Sequence, residues 1–388
     1  MPKVMLSILF TVLILLLSVP FFVPTQIDKN KNTLVHAYPY QISDKAQDIY
    51  DSLTFIGDLH SDVLLWKRDI MQKHTHGHED IPRMIEANVA LQAFTIVNKT
   101  PKGINYTRNT DDTDQITSLY MVQGRPLKTW FSLTERVLDQ ANDLYQYSQA
   151  SNGLFTVITS QADLQQYLSK RHENKAITAG FLGIEGAQAL EGKLENIDIV
   201  FKAGVRMIGL THFFDNELGA SAHGVSQAGV TDFGRKAIRK MEQLNIIIDL
   251  THASPKLIDD TLERVKRPVI VSHTGVNGTC TTGRPFSDRH LKKIAENGGL
   301  IGIAMFGQAV CGNSVIDIAK AIDYTANLIG IEQVALGSDF DGAIKAIVEV
   351  RGFPLIVEQL LNLGMSRKDI SLVMGGNLKN FLLKNLPK

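Results

Sequence analysis

From residue 53 onward the chain alternates short β-branched apolar runs with amphipathic stretches, and this alternation narrows the fold more than any other feature. Eight runs read as strands: Leu53–Asp58, Ala90–Val97, Ala176–Ile184, Val205–Thr211, Asn245–Thr251, Pro268–Ser272, Gly299–Met305 and Gln333–Ser338. Between them, Lys236–Leu244, Pro255–Val265, Asp288–Glu296 and Ile316–Ile329 repeat apolar residues at helical spacing. Near-continuous apolar strands separated by helices imply parallel strands covered on their faces by helices. Eight such units match a (β/α)8 TIM barrel, which 388 residues are enough to build. An open doubly wound sheet competes, but no G-x-G-x-x-G follows the first strand to support it.

The N-terminus follows another rule. Val4 to Val23 is almost purely apolar, long enough to cross about 30 Å of hydrocarbon and longer than an ordinary signal-peptide core. The nearest small-residue cleavage pattern, Val35-His36-Ala37, lies well downstream, which favours an uncleaved anchor over a cleaved signal. The expected division is residues 1–24 as signal or anchor, 25–45 as a polar tether, and 46–388 as the barrel. Either reading exports the body to a periplasmic or other extracytoplasmic space, held at the membrane if the segment is uncleaved. Lys+Arg and Asp+Glu are 40 each, so no basic excess exists to hold a nucleic acid. Two cysteines cannot build a Cys-rich zinc module. Cys280 follows the sixth strand and Cys311 the seventh. Adjacent barrel loops would bring them together, and an oxidising compartment would preserve a Cys280–Cys311 bridge. Pairing of two copies into a homodimer is left open.

Polar groups collect where the strands end. The first strand runs into Asp58-Leu59-His60-Ser61-Asp62, the third into Glu185, the fourth into His212, the fifth into His252, the sixth into His273 and the eighth into Asp339-Phe340-Asp341. Barrel enzymes gather their catalytic groups on that face. A converging set of His, Asp and Glu suits zinc or another first-row divalent ion. In an extended His60-x-Asp62 both side chains point the same way, so both can clasp one ion. His252 and His273, on successive strands, can clasp a second, and Glu185 has two oxygens with which to bridge them. Two ions about 3.5–4 Å apart can hold a hydroxide and polarise a carbonyl together.

Ordered motifs then extend the pattern: Gly57-Asp58-Leu59-His60-Ser61-Asp62, Asp80-Ile81-Pro82-Arg83, Gly183-Ile184-Glu185-Gly186, Leu210-Thr211-His212 and Ile248-Asp249-Leu250-Thr251-His252-Ala253-Ser254. Pro268-Val269-Ile270-Val271-Ser272-His273, Arg284-Pro285-Phe286-Ser287-Asp288, Gly337-Ser338-Asp339-Phe340-Asp341-Gly342 and Gly375-Gly376-Asn377 continue it. Over roughly residues 53–385 the chain resembles the membrane (renal) dipeptidases, within the wider amidohydrolase-type barrels. The resemblance implies a dipeptidase with two Zn2+ ions bridged by Glu185 and a water or hydroxide. It implies His60 and Asp62 on one ion, His252 and His273 on the other, and His212 at the scissile carbonyl. Arg284 would bind the substrate's C-terminal carboxylate, and Asp339 would be general base and then acid. Pro285 stands where many members carry Asn, and residues 98–150 match poorly.

Other readings stand beside these. The same metals and hydroxide would serve an N-acyl-amino-acid or lactam hydrolase, and Arg284 is what separates a dipeptidase from them. A non-catalytic barrel is disfavoured because every ligand position is filled. His74, His76 and His78 read as a flexible lid or surface loop rather than a third metal site. Asp58 reads equally as support for a ligand or as a strand-end polar group. Asp341 is the alternative proton shuttle, two residues along the same turn. Asn216 and His223 read as loop-structuring, and Gly375-Gly376-Asn377 as a helix break that closes the barrel.

Overall fold

The structure is a computed structural model that describes Met5, residues 22–282 and residues 284–388. The apolar run Val4 to Val23 lies outside the described residues apart from Met5, Phe22 and Val23. Among the described residues no helix is long and apolar enough to cross a membrane.

All eight expected strands form: β1 (Ile56–Ser61), β2 (Val89–Val97), β3 (Thr178–Glu185), β4 (Val205–Gly209), β5 (Ile247–Asp249), β6 (Ile270–Thr274), β7 (Leu300–Ile303) and β8 (Val334–Leu336). They pair in parallel and in sequence from β3 to β8. Leu336 against Asp58 joins β8 to β1, and Leu91–Val97 against Ala179–Glu185 joins β2 to β3, so the ring closes. A short strand, Phe155–Val157, adds to β3 from outside and was not read from the sequence. The first strand begins three residues later than expected, because Leu53 still caps the helix Asp44–Ser52.

Side-chain alternation divides the core. Leu59, Leu91, Phe181 and Met207 point inward, where Leu378, Phe381 and Leu382 of the last helix, Asn377–Asn385, plug the floor. Ile56, Ile96, Ile184, Ile208 and Ile301 point outward beneath the helices. At the floor a Cβ on Gly375 would stand 2.6 Å from the Gly57 nitrogen and 2.7 Å from the Phe55 carbonyl oxygen. Asn377 Nδ2 donates to the carbonyls of Ile331 and Val334 at the start of β8. The Gly-Gly-Asn run thus seals the β8–β1 seam.

Residues 25–45, expected as a tether, are laid against the barrel. Residues 22–31 are helical, Thr33–Leu34 pairs with Lys345–Ala346, and Asp28 is buried beside Arg68 at 3.3 Å. The Asp28–Arg68 ion pair, this strand pairing and the Ala343 N–H donating to Asn32 Oδ1 together hold the polar stretch. Between residues 115 and 150 the chain forms two helices, Gln115–Val122 and Leu133–Ala150, separated around Gly124 and Pro126.

The His-x-His-x-His segment is not a flexible lid. His78 is fully buried, accepts from the Asp341 N–H at 2.8 Å and donates to the Thr33 carbonyl at 2.9 Å. His76 lies 3.4 Å from Asp28. The loop ties the N-terminal segment to the turn that follows β8. Cys280 and Cys311 are joined by a disulfide with Cα atoms 5.1 Å apart, linking the loops after β6 and β7.

Candidate metal centre

Six of the eight strands, β1, β3, β4, β5, β6 and β8, deliver polar groups to the same rim, and Glu185 stands at the middle. Its Oε1 lies 3.3 Å from His252 Nε2, 3.5 Å from His60 Nε2 and 3.7 Å from His273 Nε2. Its Oε2 lies 3.2 Å from His212 Nε2. Asp62 Oδ1 is 3.4 Å from His60 Nε2, and Asp339 lies 4.0 Å from His60 and 3.9 Å from His273. All of these residues are buried. The structure therefore brings together His60, Asp62, Glu185, His212, His252, His273 and Asp339. Three groupings are close enough to share an ion: His60–Glu185–His273, Glu185–His212–His252 and His60–Asp62–Asp339. Proximity draws His212 to Glu185 as closely as it draws His252.

The electrostatics ask for cations here. Burial pushes the Glu185 carboxyl well above its ordinary range, and the negative charge of Asp62 adds to the effect. Burial likewise raises Asp339 to about 7 against the opposing pull of His60. His212, His252 and His273 are held well below the ordinary imidazole range, first by burial. Burial also opposes charge on His60, but Asp62 and Glu185 outweigh it and bring its pKa to about 10. The buried His60 Nε2 has no hydrogen-bond partner. A buried nitrogen without a hydrogen-bond partner beside crowded carboxylates fits a divalent ion.

The residues around this set are as ordered as the set itself. Thr95 Oγ1 lies 2.6 Å from Asp62 Oδ1, and Asn98 Nδ2 donates to the carbonyls of Glu185 and Gly186. Sequence reading missed both. Their signal was a polar residue at the end of β2, the second strand, whose rim had been left unassigned. Asp58 does not touch the ligands. It accepts from Ser338 N–H and Oγ–H and from Gln92, clamping β8 and β2 to β1. Asp341 turns away from the centre: it pairs with Arg68 at 2.6 Å and accepts from the His78 N–H. Asn216 bonds Gln188 and the Leu210 carbonyl, a loop-structuring role. His223 stacks near Phe213 and His252, and its carbonyl accepts from Asn109.

A cavity of about 530 Å³ opens over the centre. Asp62, Glu185, His212, His252, His273 and Asp339 line one end of it. Arg284 also lines it, is buried, and donates to the His273 carbonyl at 3.0 Å. Among the described residues no carboxylate comes within 4.0 Å of that guanidinium, so its charge is free for a ligand. Ile27, Leu65, Trp66, Val97, Ile116 and Leu119 form an apolar part of the cavity, which Lys31, Thr100, Gln115 and Ser118 also line. Asp339, Asp341 and His252 all adopt positive φ, near +60°, a backbone cost tolerated where side-chain aim matters.

The sequence model of the membrane dipeptidase family (peptidase family M19) matches residues 43–383. Dipeptidase aclJ of Aspergillus oryzae is 26% identical over 355 residues, 84% of this chain and 76% of that protein. Dipeptidase 3 of Mus musculus is 30% identical over 212 residues, spanning 52% of this chain and 43% of the mouse protein. Among solved structures, the probable dipeptidase PvdM of Pseudomonas aeruginosa aligns with a TM-score of 0.73 at 16% identity, over 90% of this chain and 99% of its own. A metallopeptidase of Rhodobacter sphaeroides, liganded with a phosphinate mimic of the dipeptide L-Ala-D-Ala, aligns with a TM-score of 0.71 at 21% identity, over 86% and 100%. These similarities carry the same barrel.

Proposed function

The chain belongs to the membrane dipeptidase family, which makes it a metallodipeptidase and a hydrolase, and from that premise we propose how its own residues cut a dipeptide. The observation that carries the reading is one buried carboxylate, Glu185, within 3.7 Å of the Nε2 atoms of four histidines from four different strands. His60 and Asp62 would hold one zinc ion, His252 and His273 the other, with Glu185 shared between them. When bound, such a pair lowers the pKa of water and polarises a carbonyl.

Arg284 receives the free carboxylate of the dipeptide, a fork meeting a planar anion. That contact sets the distance to the scissile bond, so a tripeptide or an amidated dipeptide is misplaced. His212 faces the carbonyl oxygen and steadies the negative charge that develops there. Asp339 takes a proton from the attacking water as the C–O bond forms. It returns that proton to the amine nitrogen as the C–N bond breaks. Its raised pKa, about 7, suits a group that must do both.

Substrate shape follows from the ring order. Arg284 comes from the loop after β6, whereas Leu65, Trp66, Ile116 and Leu119 lie on the side of β1 and β2, across the barrel. The side chain of the first residue of a dipeptide therefore extends into the apolar part of the cavity. We assign the body to an oxidising, extracytoplasmic space, which the disulfide supports, with the Val4–Val23 run as its anchor or signal.

The test is hydrolysis of a panel of dipeptides, tripeptides and dipeptide amides by protein loaded with zinc, and by the same protein after chelation. Cleavage of free dipeptides alone, lost on chelation, is expected. Full activity in a metal-free preparation, or efficient cleavage of amidated dipeptides, would refute the reading.

A further inference from the structure

Two buried polar residues beneath the centre, Asp249 of β5 and Ser272 of β6, have no part in the scheme above, yet Ser272 touches two of its histidines and Asp249 touches Ser272. Ser272 Oγ donates to Asp249 Oδ2 at 2.6 Å. The other oxygen of Asp249 accepts from Thr251 N, Thr251 Oγ1 and Ser272 N at 2.9, 2.7 and 3.0 Å. A hydroxyl has one proton and two lone pairs. With its proton on Asp249, Ser272 Oγ can only accept from its remaining close neighbours. Those include His60 Nδ1 at 2.9 Å and His273 Nδ1 at 3.2 Å. Each ring must then carry a hydrogen on Nδ1, which leaves Nε2 as the nitrogen that can ligate.

We propose that Asp249 and Ser272 form a tautomer lock: a single hydroxyl, oriented by one carboxylate, fixes the ligating face of two histidines at once. The proposal rests on the metal-centre reading above. It makes Ser272 and Asp249 positioning residues that act through His60 and His273. Because those histidines serve different ions in that reading, the lock couples the affinities of both. A purely structural role, cross-linking β5 to β6, would predict no such coupling.

Asp249→Asn separates the two roles with almost no change of shape. Three donors hold the side-chain oxygen of the Asn where Oδ1 was, so its NH2 group faces Ser272. The NH2 must donate, and the serine proton must turn toward one histidine. That ring then carries its hydrogen on Nε2, aimed at the centre, and cannot ligate. Ser272→Ala only removes the preference, leaving each ring free to choose.

Zinc affinity and stoichiometry of the full chain, measured by competition with a chromophoric chelator, should fall about 10–100-fold in Asp249→Asn. The loss should be smaller in Ser272→Ala. Histidine side-chain 15N NMR of the zinc-loaded wild type should show His60 and His273 protonated at Nδ1. Equal zinc affinity in wild type and a folded Asp249→Asn would overturn the proposal, as would a greater loss in Ser272→Ala. Nε2-protonated rings in the wild type would also overturn it, and that measurement decides even if Asp249→Asn fails to fold. If the wild type itself binds no zinc, the metal-centre reading fails first and the lock falls with it.

Discussion

At the scale of the residue, the two aspartates of one turn have different work. Asp339 faces the cavity, whereas Asp341 is turned back onto Arg68 and His78. Asp339→Asn keeps the shape but cannot take a proton, so kcat should fall roughly 10²–10⁴-fold with bound zinc nearly unchanged. Asp341→Asn should instead lower thermal stability, because it leaves a buried guanidinium short of charge. Steady-state kinetics and a thermal melt on the same two preparations separate these outcomes. A large kcat loss in Asp341→Asn alone would transfer the proton role to it. Glu185→Gln should reduce bound metal more than Asp62→Asn, since four histidine nitrogens surround Glu185; bulk metal analysis checks this.

At the scale of the element, two predictions concern joints. Gly375→Ala would set a Cβ against the backbone of Gly57 and Phe55, so it should destabilise the barrel floor by about 1–3 kcal/mol, read from denaturant unfolding. Asp259 joins the helix Pro255–Leu262 to the helix Asp288–Glu296 through Arg289 and Lys293, 2.7 Å from each. Slight burial opposes ionisation, but those cations more than offset it and hold the carboxyl at about 2. A folded pKa below the unfolded one stabilises above roughly pH 4 and loses that effect as pH falls toward 2. Asp259→Asn should therefore lower the melting temperature at pH 7 and make little difference near pH 2. The strands were legible because burial on both faces writes continuous apolar runs, and the ligands because His and Asp sit at their ends. The Phe155–Val157 strand is too short to carry a period. Residues 25–45 were misread because their burial runs through Asp28 and Asn32, polar residues that pattern reading assigns to solvent. Thr95, Asn98, Asp249 and Ser272 escaped for a related reason: they form buried hydrogen bonds around the centre, which no spacing encodes.

At the scale of the whole molecule, the cavity and the disulfide make separate predictions. Dipeptides with a large apolar first residue should exceed those with an acidic one by at least about tenfold in kcat/KM, and Leu119→Asp should narrow that ratio. An unchanged ratio would put the first side chain elsewhere. Reducing Cys280–Cys311, which spans 31 residues, should cost about 3–4 kcal/mol of stability on the chain-entropy account. Paired melts with and without reductant measure it. Because the bridge tethers the segment that carries Arg284, reduction should also raise KM while leaving bound metal in place.

The helix over 22–31 has a further consequence for how the family is read. The family match begins at residue 43, yet Ile27 and Lys31 help wall the cavity and Asp28 pairs with Arg68 behind it. The border of detectable kinship and the border of the binding surface therefore do not coincide. A chain shortened to residues 43–383 would keep all eight barrel strands and every residue proposed for metal and proton chemistry. Its cavity would lack the wall that Ile27 and Lys31 supply, so its preference among dipeptides should differ from that of the full chain.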